Sequence, residues 1–190
     1  EYEQARLHYQ KSLDIYIEYN DRYSQAKTYH QLGGVAQELR EYEKAKSHYQ
    51  ESLDIDIEYN DRYSQASTYH NLGSVARELR EYEQARAHYQ QALDICIEFN
   101  DRYSQASTYH QLGRVAEELR EYEQARAHFL TALETFVKFE DKHSGGIVLR
   151  GLYRLHQVTQ DNTLLPEVAQ CLNSTVEEVA QLFEQFDPSA

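Results

Sequence analysis

Histidine recurs in this chain at intervals of forty residues, and it is a common metal ligand and acid–base group. One set has three members and the other has four: His30, His70 and His110; His8, His48, His88 and His128. A zinc site needs several ligand atoms within about 2.3 Å of one ion. If each forty-residue interval is one structural unit and the units pack side by side, equivalent histidines lie about 10 Å apart. They are then too far apart to bind the same ion. The spacing therefore predicts no metal site and no cofactor, and we interpret the second set as packing or surface residues.

Arginine offers a second chemistry, because a guanidinium can hold a carboxylate through two parallel hydrogen bonds. The arginines of interest lie among glutamates: Arg77, Arg114, Arg150 and Arg154 among Glu38, Glu78, Glu117 and Glu118. One expected ligand is an extended or helical peptide with acidic character toward Arg114. The net charge of −13, from 32 acidic and 19 basic residues, favours a neutral or basic partner instead. The sequence leaves the sign of the ligand's charge open.

Motifs for catalysis are absent from the sequence. It contains no phosphate-binding glycine loop and no nucleophile elbow. Cys96 stands at a position that holds Tyr16, Asp56 and Phe136 in the other units, and a position that changes from unit to unit is a poor place for a nucleophile. We expect that the chain is not an enzyme.

Composition limits the partners and the location. No apolar run approaches the roughly 18 residues of a membrane span, and no signal-peptide pattern opens the chain. Two cysteines, Cys96 and Cys171, form no disulfide framework. These features favour the cytoplasm, and the acidic charge argues against nucleic-acid or membrane binding. The chain begins on Glu1 in the middle of a unit and has no methionine, which suggests a longer parent protein.

A forty-residue repeat must position all of these side chains. Glu41–Arg80 and Glu81–Arg120 differ at ten positions, so 40 − 10 = 30 are identical, and Glu1–Arg40 differs from Glu41–Arg80 at nine. Repeats of this length are typical of solenoids, in which each unit packs on its neighbours and the product is an extended surface.

Each unit contains two predicted helices, which we call helix A and helix B. Apolar and small residues recur three or four apart in both, as Ala66, Tyr69, Leu72, Gly73, Ala76 and Leu79 in helix A and as Tyr82, Ala85, Tyr89, Ala92, Leu93, Cys96 and Phe99 in helix B. The link that begins Asn60-Asp61 supplies an asparagine for the end of one helix and an aspartate or a serine, Asp61 or Ser64, to cap the next. The short segment after Leu79 predicts a tight turn and an antiparallel helix pair.

These residues carry a family resemblance. Seven of them fall at the spacing of the tetratricopeptide signature: Tyr69, Leu72, Gly73, Tyr82, Ala85, Tyr89 and Ala92. The chain resembles that family over residues 1–140, in a forty-residue variant similar to the repeats of kinesin light chains, Pins-type adaptors and the repeat arms of bacterial multidomain proteins. The resemblance implies an all-α fold, a right-handed α-solenoid of stacked antiparallel helix pairs with a divergent C-terminal capping unit.

The predicted organisation follows the repeat. An orphan helix B occupies residues 1–20, three repeats occupy 21–60, 61–100 and 101–140, and a divergent last repeat with a helical cap occupies 141–190. In the cap, Pro166 suits the first turn of a helix, and Ser174 or Thr175 with Glu177 or Glu178 predicts a capping box. A helix-turn-helix reader over residues 164–183 is the weaker alternative, because its glutamates would repel phosphates.

Differences between the repeats indicate where a ligand binds. The three copies of helix A differ at four positions spaced four, three and three residues apart, which places the changes on one face. Exposed residues also drift without functional cause, so drift is the alternative explanation. The resemblance places this face on a concave groove, for which we predict these peptide-binding residues: Lys27, His30, Gln31, Gly34, Gln37, His70, Asn71, Ser74, Arg77, His110, Gln111, Arg114, Glu117, Arg150 and Arg154.

Three functional interpretations stay open from the sequence. The first is a scaffold whose groove binds a protein or peptide segment. The second is a structural or sensor arm of a larger switch protein, which packs on that protein's other domains. The third is self-association through the exposed N-terminal helix.

Overall fold

The structure, a computed structural model, describes residues 1–186. Within these residues the regular elements are ten α-helices. Their bounds are α1 Tyr2–Glu18, α2 Arg22–Glu38, α3 Tyr42–Glu58, α4 Arg62–Glu78, α5 Tyr82–Glu98, α6 Arg102–Glu118, α7 Tyr122–Lys138, α8 Lys142–Thr159, α9 Leu164–Leu172 and α10 Val176–Glu184. Helices α2, α4, α6 and α8 fall on the predicted A segments, and α1, α3, α5 and α7 fall on the B segments.

Every A-type helix begins with an aspartate cap. The Asp61 carboxylate accepts a hydrogen bond from the Ser64 backbone N–H at 3.0 Å, and the same bond recurs at Asp21, Asp101 and Asp141. This bond satisfies one of the amides that a helix start leaves unpaired. Of the two caps that the sequence allows, aspartate and serine, the aspartate is the one that the helices use.

Helix ends fall on left-handed residues. Asn20, Asn60 and Asn100 have φ values of 54°, 54° and 53°, as the sequence predicts. Arg40, Arg80 and Arg120 adopt the same conformation, at 59°, 62° and 60°, which the sequence did not indicate because arginine has no preference for it. The tight turn after each A helix explains the choice: in the first, the Glu41 N–H donates to the Ala36 carbonyl at 2.8 Å, a bond that reverses the chain at once.

The chain divides into two compact units, Glu1–Phe99 and Asn100–Ala190. In the first, α1 to α5 pack in chain order, and α2 also contacts α4. In the second, α6 packs on α7, α7 on α8 and α9, and α9 on α10, while α6 also contacts α8. Successive helix pairs therefore stack within each unit with their A helices adjacent, which confirms the predicted all-α solenoid packing.

Glycine allows the close approach of helices A and B. A Cβ atom added at Gly73 would lie 2.8 Å from Cδ1 of Tyr89, and one at Gly113 would lie 2.7 Å from Cδ1 of Phe129. Both rings are fully buried, with 0% exposure. The aromatic ring occupies the space that any larger residue would need.

The C-terminal helices cover the last repeat. Pro166 lies in the first turn of α9, and Thr175 and Glu178 form a capping box at α10, both as predicted. Leu164, Val168, Val179 and Phe183 join the core formed by α6, α7 and α8. The predicted last unit of 141–190 extends over residues 187–190, which lie outside the described residues, and its boundary at 140/141 stays a prediction.

One arginine fixes α9 on α7. Arg126 Nε donates to Glu167 Oε2 at 2.8 Å, and Nη2 donates to Thr163 Oγ1 at 2.9 Å. Its Nη1 also bonds to Asp161. Because three polar groups around the start of α9 converge on a single guanidinium, the position of this helix is well defined.

Candidate functional site on the helix A face

Positions that vary among the A helices lie where solvent reaches them. We call these positions the variable stripe: Lys27, Gln31, Gly34 and Gln37 on α2; Ser67, Asn71, Ser74 and Arg77 on α4; Ser107, Gln111, Arg114 and Glu117 on α6. Each is exposed or half-buried, whereas their constant neighbours Leu32, Leu72 and Leu112 are buried. The stripe is thus the more exposed side of helix A, although Gln37 still contacts Tyr49 of α3.

In the first unit, His30 is part of the scaffold between two A helices. The Asn71 amide donates to His30 Nε2 at 3.1 Å, so Nδ1 carries the ring proton and donates to Thr68 Oγ1, also at 3.1 Å. The ring edge lies against Tyr49, with centroids 5.3 Å apart. Burial lowers the pKa of His30, which keeps the imidazole neutral near pH 7. The structure therefore brings two predicted groove residues, His30 and Asn71, together and uses them to join α2 to α4.

Most of the other histidines also pack on aromatic rings. His70 lies edge-on to Tyr89 at 5.3 Å between centroids, and burial lowers its pKa. In the second set, His48 stacks on Tyr29 and His88 on Tyr69, each at 6.1 Å. Among residues 1–186, no three His, Cys, Asp or Glu side chains lie close enough together to hold a metal ion.

Arg77 is less accessible than its place on the stripe suggests. Its side chain is 13% exposed, and Nη2 lies 2.7 Å from Glu78 Oε1. Its Nε is buried and has no hydrogen-bond partner among the described residues. In α2 the corresponding Gln37 accepts a bond from the Tyr49 hydroxyl at 3.2 Å. Arg77 thus presents one guanidinium edge to Glu78 and is mostly covered by its neighbours, which limits the contact it can make with a ligand.

In the second unit, the predicted arginines meet around one cavity. Arg114, Arg150, Arg154, Glu117 and Glu118 line it together with His110 and Ile147, and its volume is about 470 Å³. Arg154 donates two hydrogen bonds to Glu117, from Nε to Oε1 at 3.0 Å and from Nη2 to Oε2 at 2.8 Å. This bond to Glu117 raises the pKa of Arg154. Arg154, which the sequence placed among the groove residues, therefore already holds a carboxylate of its own chain.

Arg150 differs from Arg154 in its surroundings. Its side chain is exposed, and its guanidinium carbon lies 5.8 Å from the centroid of the Phe186 ring. A guanidinium at this distance from an aromatic ring is weakly attracted to it and keeps its donors in water. The basic side of the cavity consequently consists of Arg114 and Arg150, opposite the pair formed by Arg154 and Glu117.

A second cavity, in the first unit, was missed by the sequence analysis. It measures about 240 Å³ and lies between α2, α3 and α4, where Lys27, His30, Gln31, Ser52, Asp56, Ser64, Ser67 and Thr68 line it. Burial raises the pKa of the Asp56 carboxyl to about 6, and the negative charge of Asp61 contributes to this rise. A signal was present in the sequence, because Asp56 is a charged residue at a position held by Tyr16, Cys96 and Phe136 in the other units.

None of the helices within residues 1–186 combines the length and apolar character that crossing a membrane requires.

Comparison with solved structures places this geometry among repeat proteins. BtubC (BKLC) from P. vanneervenii is 20% identical with a TM-score of 0.72, covering 90% of this chain and 73% of that one. The apo form of RapI is 21% identical with a TM-score of 0.81, and the match covers 97% of this chain. The chain spans 66% of the length of RapI. The TPR domain of Arabidopsis OM64 is 20% identical with a TM-score of 0.56, over 72% of this chain and 98% of that domain.

Sequence comparison gives the family. No curated protein matches the chain. The sequence profile described as tetratricopeptide repeat matches residues 1–58 and 64–137, which is more than half of the chain and includes the glycine–aromatic pairs described above. The chain belongs to the tetratricopeptide repeat family.

Proposed function

We propose that this chain is a scaffold that binds a segment of a partner protein along the variable stripe of its A helices. Tetratricopeptide repeats generally mediate protein–protein interactions. The observation that carries the proposal is the arginine-lined cavity of the second unit, because it combines an open volume of about 470 Å³ with cationic groups from α6 and α8. Side chains that a scaffold needs only for packing do not require such a cavity.

Charge around this cavity favours an acidic residue in the bound segment. Three arginines face two glutamates there, and one arginine is already paired with Glu117. The lining side chains therefore carry a formal net charge of +1, from three arginines and two glutamates. A carboxylate placed between Arg114 and Arg150 would balance it and would receive charge-assisted hydrogen bonds, which are roughly twice as strong as neutral ones.

Peptide binding with repeat-matched variants tests the proposal. Arg114→Ser and Arg77→Gln insert the residues that other repeats carry, Ser74 and Gln37, so both should leave helix content unchanged. Fluorescence anisotropy against an array of labelled acidic, neutral and basic peptides would identify a binder. We expect the double variant to weaken acidic-peptide binding at least tenfold, whereas Arg102→Gln, an exposed change outside the stripe, should have little effect.

Retention of affinity in the double variant, with unchanged circular dichroism, would contradict the groove proposal. If no peptide of any charge binds the unmodified chain, the second candidate, a regulatory arm that packs on other domains of a larger protein, becomes the better account.

A further inference from the structure

Asp56 is an unusual residue for the place it occupies. Its side chain is 95% buried, since its exposed fraction is 5%, and its neighbours Ser52 and Thr68 are 1% and 0% exposed. The corresponding residue of the second unit, Phe136, is 3% exposed and belongs to the apolar core. A carboxylate at such a site is costly unless a cation or several donors compensate its charge.

Little in the described chain compensates it. The hydrogen bond recorded for the carboxylate comes from the Thr68 hydroxyl to Oδ2 and is long, at 3.4 Å. The same hydroxyl has a closer acceptor, the Ser64 carbonyl at 3.2 Å, and its oxygen already accepts the Nδ1–H of His30. A single hydroxyl proton cannot satisfy both acceptors fully. Asp56 is thus a buried acid with a weak partner.

Charges around the cavity do not cancel. Two carboxylates face it or flank it, Asp56 from α3 and Asp61 at the start of α4, and Lys27 from α2 is the cation. The pKa of Asp61 is lowered mainly by the Ser64 backbone bond and also by the charge of Lys27, whose ammonium lies 4.6 Å from the centroid of the Tyr23 ring. His30, the remaining titratable group, is kept neutral by burial, which lowers its pKa. Among the described residues, no cation forms an ion pair with Asp56.

The size of the cavity limits what could bind there. Its volume of about 240 Å³ is below the roughly 300–1,000 Å³ of pockets for drug-sized ligands. Three residues of its lining are exposed positions of the variable stripe: Lys27 and Gln31 on α2 and Ser67 on α4. A chain lying along the stripe could therefore insert one side chain toward Asp56. The hydroxyls of Ser52, Ser64 and Thr68 add acceptors for a donor-rich group.

We infer that the cavity above Asp56 is a specificity pocket for one basic side chain, a lysine or an arginine, of the bound partner segment. This inference rests on the proposed function, because it assigns a positive residue to the ligand segment that binds the variable stripe of the first unit. It also accounts for both indications in the sequence: the arginines favour an acidic ligand, and the net charge of −13 favours a basic one.

Small probes test the pocket without the partner. Butylammonium and butylguanidinium represent the ends of lysine and arginine, and butanol is the neutral control. Each is titrated into the full chain while backbone and carboxyl NMR signals are followed. We expect saturable shifts at Ser67 and Thr68 with at least one cation, a fall in the pKa of Asp56, and at least tenfold weaker effects with butanol. The stronger cation identifies the preferred side chain.

Two variants serve as a matched pair. Asp56→Cys inserts the residue found at the buried Cys96 of the next repeat, and Asp54→Asn removes an exposed charge from the same helix. The cation-dependent shifts should disappear in Asp56→Cys and persist in Asp54→Asn. Equal shifts with butanol, shifts that survive Asp56→Cys, or a pKa of Asp56 that no cation changes would each overturn the pocket.

The experiments distinguish a failure of the pocket inference from a failure of the groove proposal. A peptide that loses affinity on Arg114→Ser but binds Asp56→Cys normally would leave the groove proposal intact and overturn the pocket. A cation that binds at Asp56 in a chain for which no peptide binder is found would support the pocket as a cation site and contradict the groove.

Discussion

At the residue scale, the packing of helix A on helix B depends on a glycine, because this residue has no Cβ atom. Gly73 faces a fully buried tyrosine, whereas a Cβ atom added at Gly146 of α8 would meet nothing within 4 Å. Both lie inside helices, where alanine is favoured over glycine by roughly 1 kcal/mol. A substitution at Gly146 therefore measures helix propensity alone, whereas one at Gly73 measures helix propensity and packing together.

We predict opposite effects for the same substitution at these two sites. Gly73→Ala should destabilise the fold by about 2 kcal/mol, because the new methyl would overlap the Tyr89 ring. Gly146→Ala should stabilise it by roughly 0.5–1 kcal/mol. Thermal denaturation followed by circular dichroism measures both. A stabilising Gly73→Ala would mean that the ring moves aside at little cost.

The second prediction at this scale concerns the pH dependence of stability. The pKa of Asp56 is raised to about 6 in the folded chain, and in an unfolded chain it is about 3.9. The contribution of Asp56 is therefore most favourable below pH 4 and is lost as the pH rises through 6. Relative to Asp56→Cys, the unmodified chain should lose up to about 3 kcal/mol between pH 4 and pH 7.

Denaturation of the two proteins across this range checks the effect as a difference, because other groups cancel. Asp21, Asp61 and Asp141, whose pKa values their capping bonds lower, have the opposite pH dependence in both proteins. A difference that stays constant from pH 4 to pH 7 would contradict the raised pKa of Asp56.

At the scale of the element, three helices are followed by a residue whose backbone conformation is energetically unfavourable. Arg40, Arg80 and Arg120 are left-handed, a conformation that disfavours side chains with a Cβ by roughly 1–2 kcal/mol. Glycine adopts it without that penalty, although it loses more backbone entropy on folding.

We therefore predict that Arg80→Gly stabilises the chain by about 0.5–1 kcal/mol, measured by thermal denaturation. Arg80→Ala is the control, since it removes the charged side chain but keeps the strained backbone. The explanation fails if alanine and glycine have the same effect.

At the scale of the whole molecule, the first helix is the least covered of the B helices. Ile15 is 52% exposed, whereas the equivalent Ile55 and Ile95 are 0% and 1% exposed. Ile17, by contrast, is 53% exposed and its equivalents Ile57 and Ile97 are similarly exposed, at 49% and 52%. The distinctive apolar surface of α1 therefore includes Ile15, together with Leu7, which is 60% exposed.

We predict weak self-association of this chain through that surface, because burying Ile15 against a second copy removes apolar area from water. Light scattering should show a mass that rises with protein concentration, and Ile15→Glu should abolish the rise. Ile17→Glu is the matched control and should leave it unchanged. A mass equal to that of the monomer at every concentration would contradict the predicted self-association.

Much of the architecture follows from local patterns in the sequence. The period of forty, the aspartate caps and the glycine–aromatic pairs predict the helix pairs because each signal acts within one unit or between neighbours. The capping box at Thr175 follows for the same reason. The left-handed arginines do not, since the geometry of the turn imposes a conformation that their own preference opposes.

Repetition by itself thus determined that this protein is a stack of helix pairs and that its variation falls on one face of helix A. Only the tertiary structure decided what each polar side chain does there: His30 bonds to Asn71, Arg154 is held by Glu117, and Asp56 lies buried beside a cavity. The reason is physical. Helix formation depends on residues three or four apart, whereas these partners lie 41 residues apart for His30 and Asn71, 37 for Arg154 and Glu117, and 12 for Asp56 and Thr68. Only the packing of one helix on another brings them together.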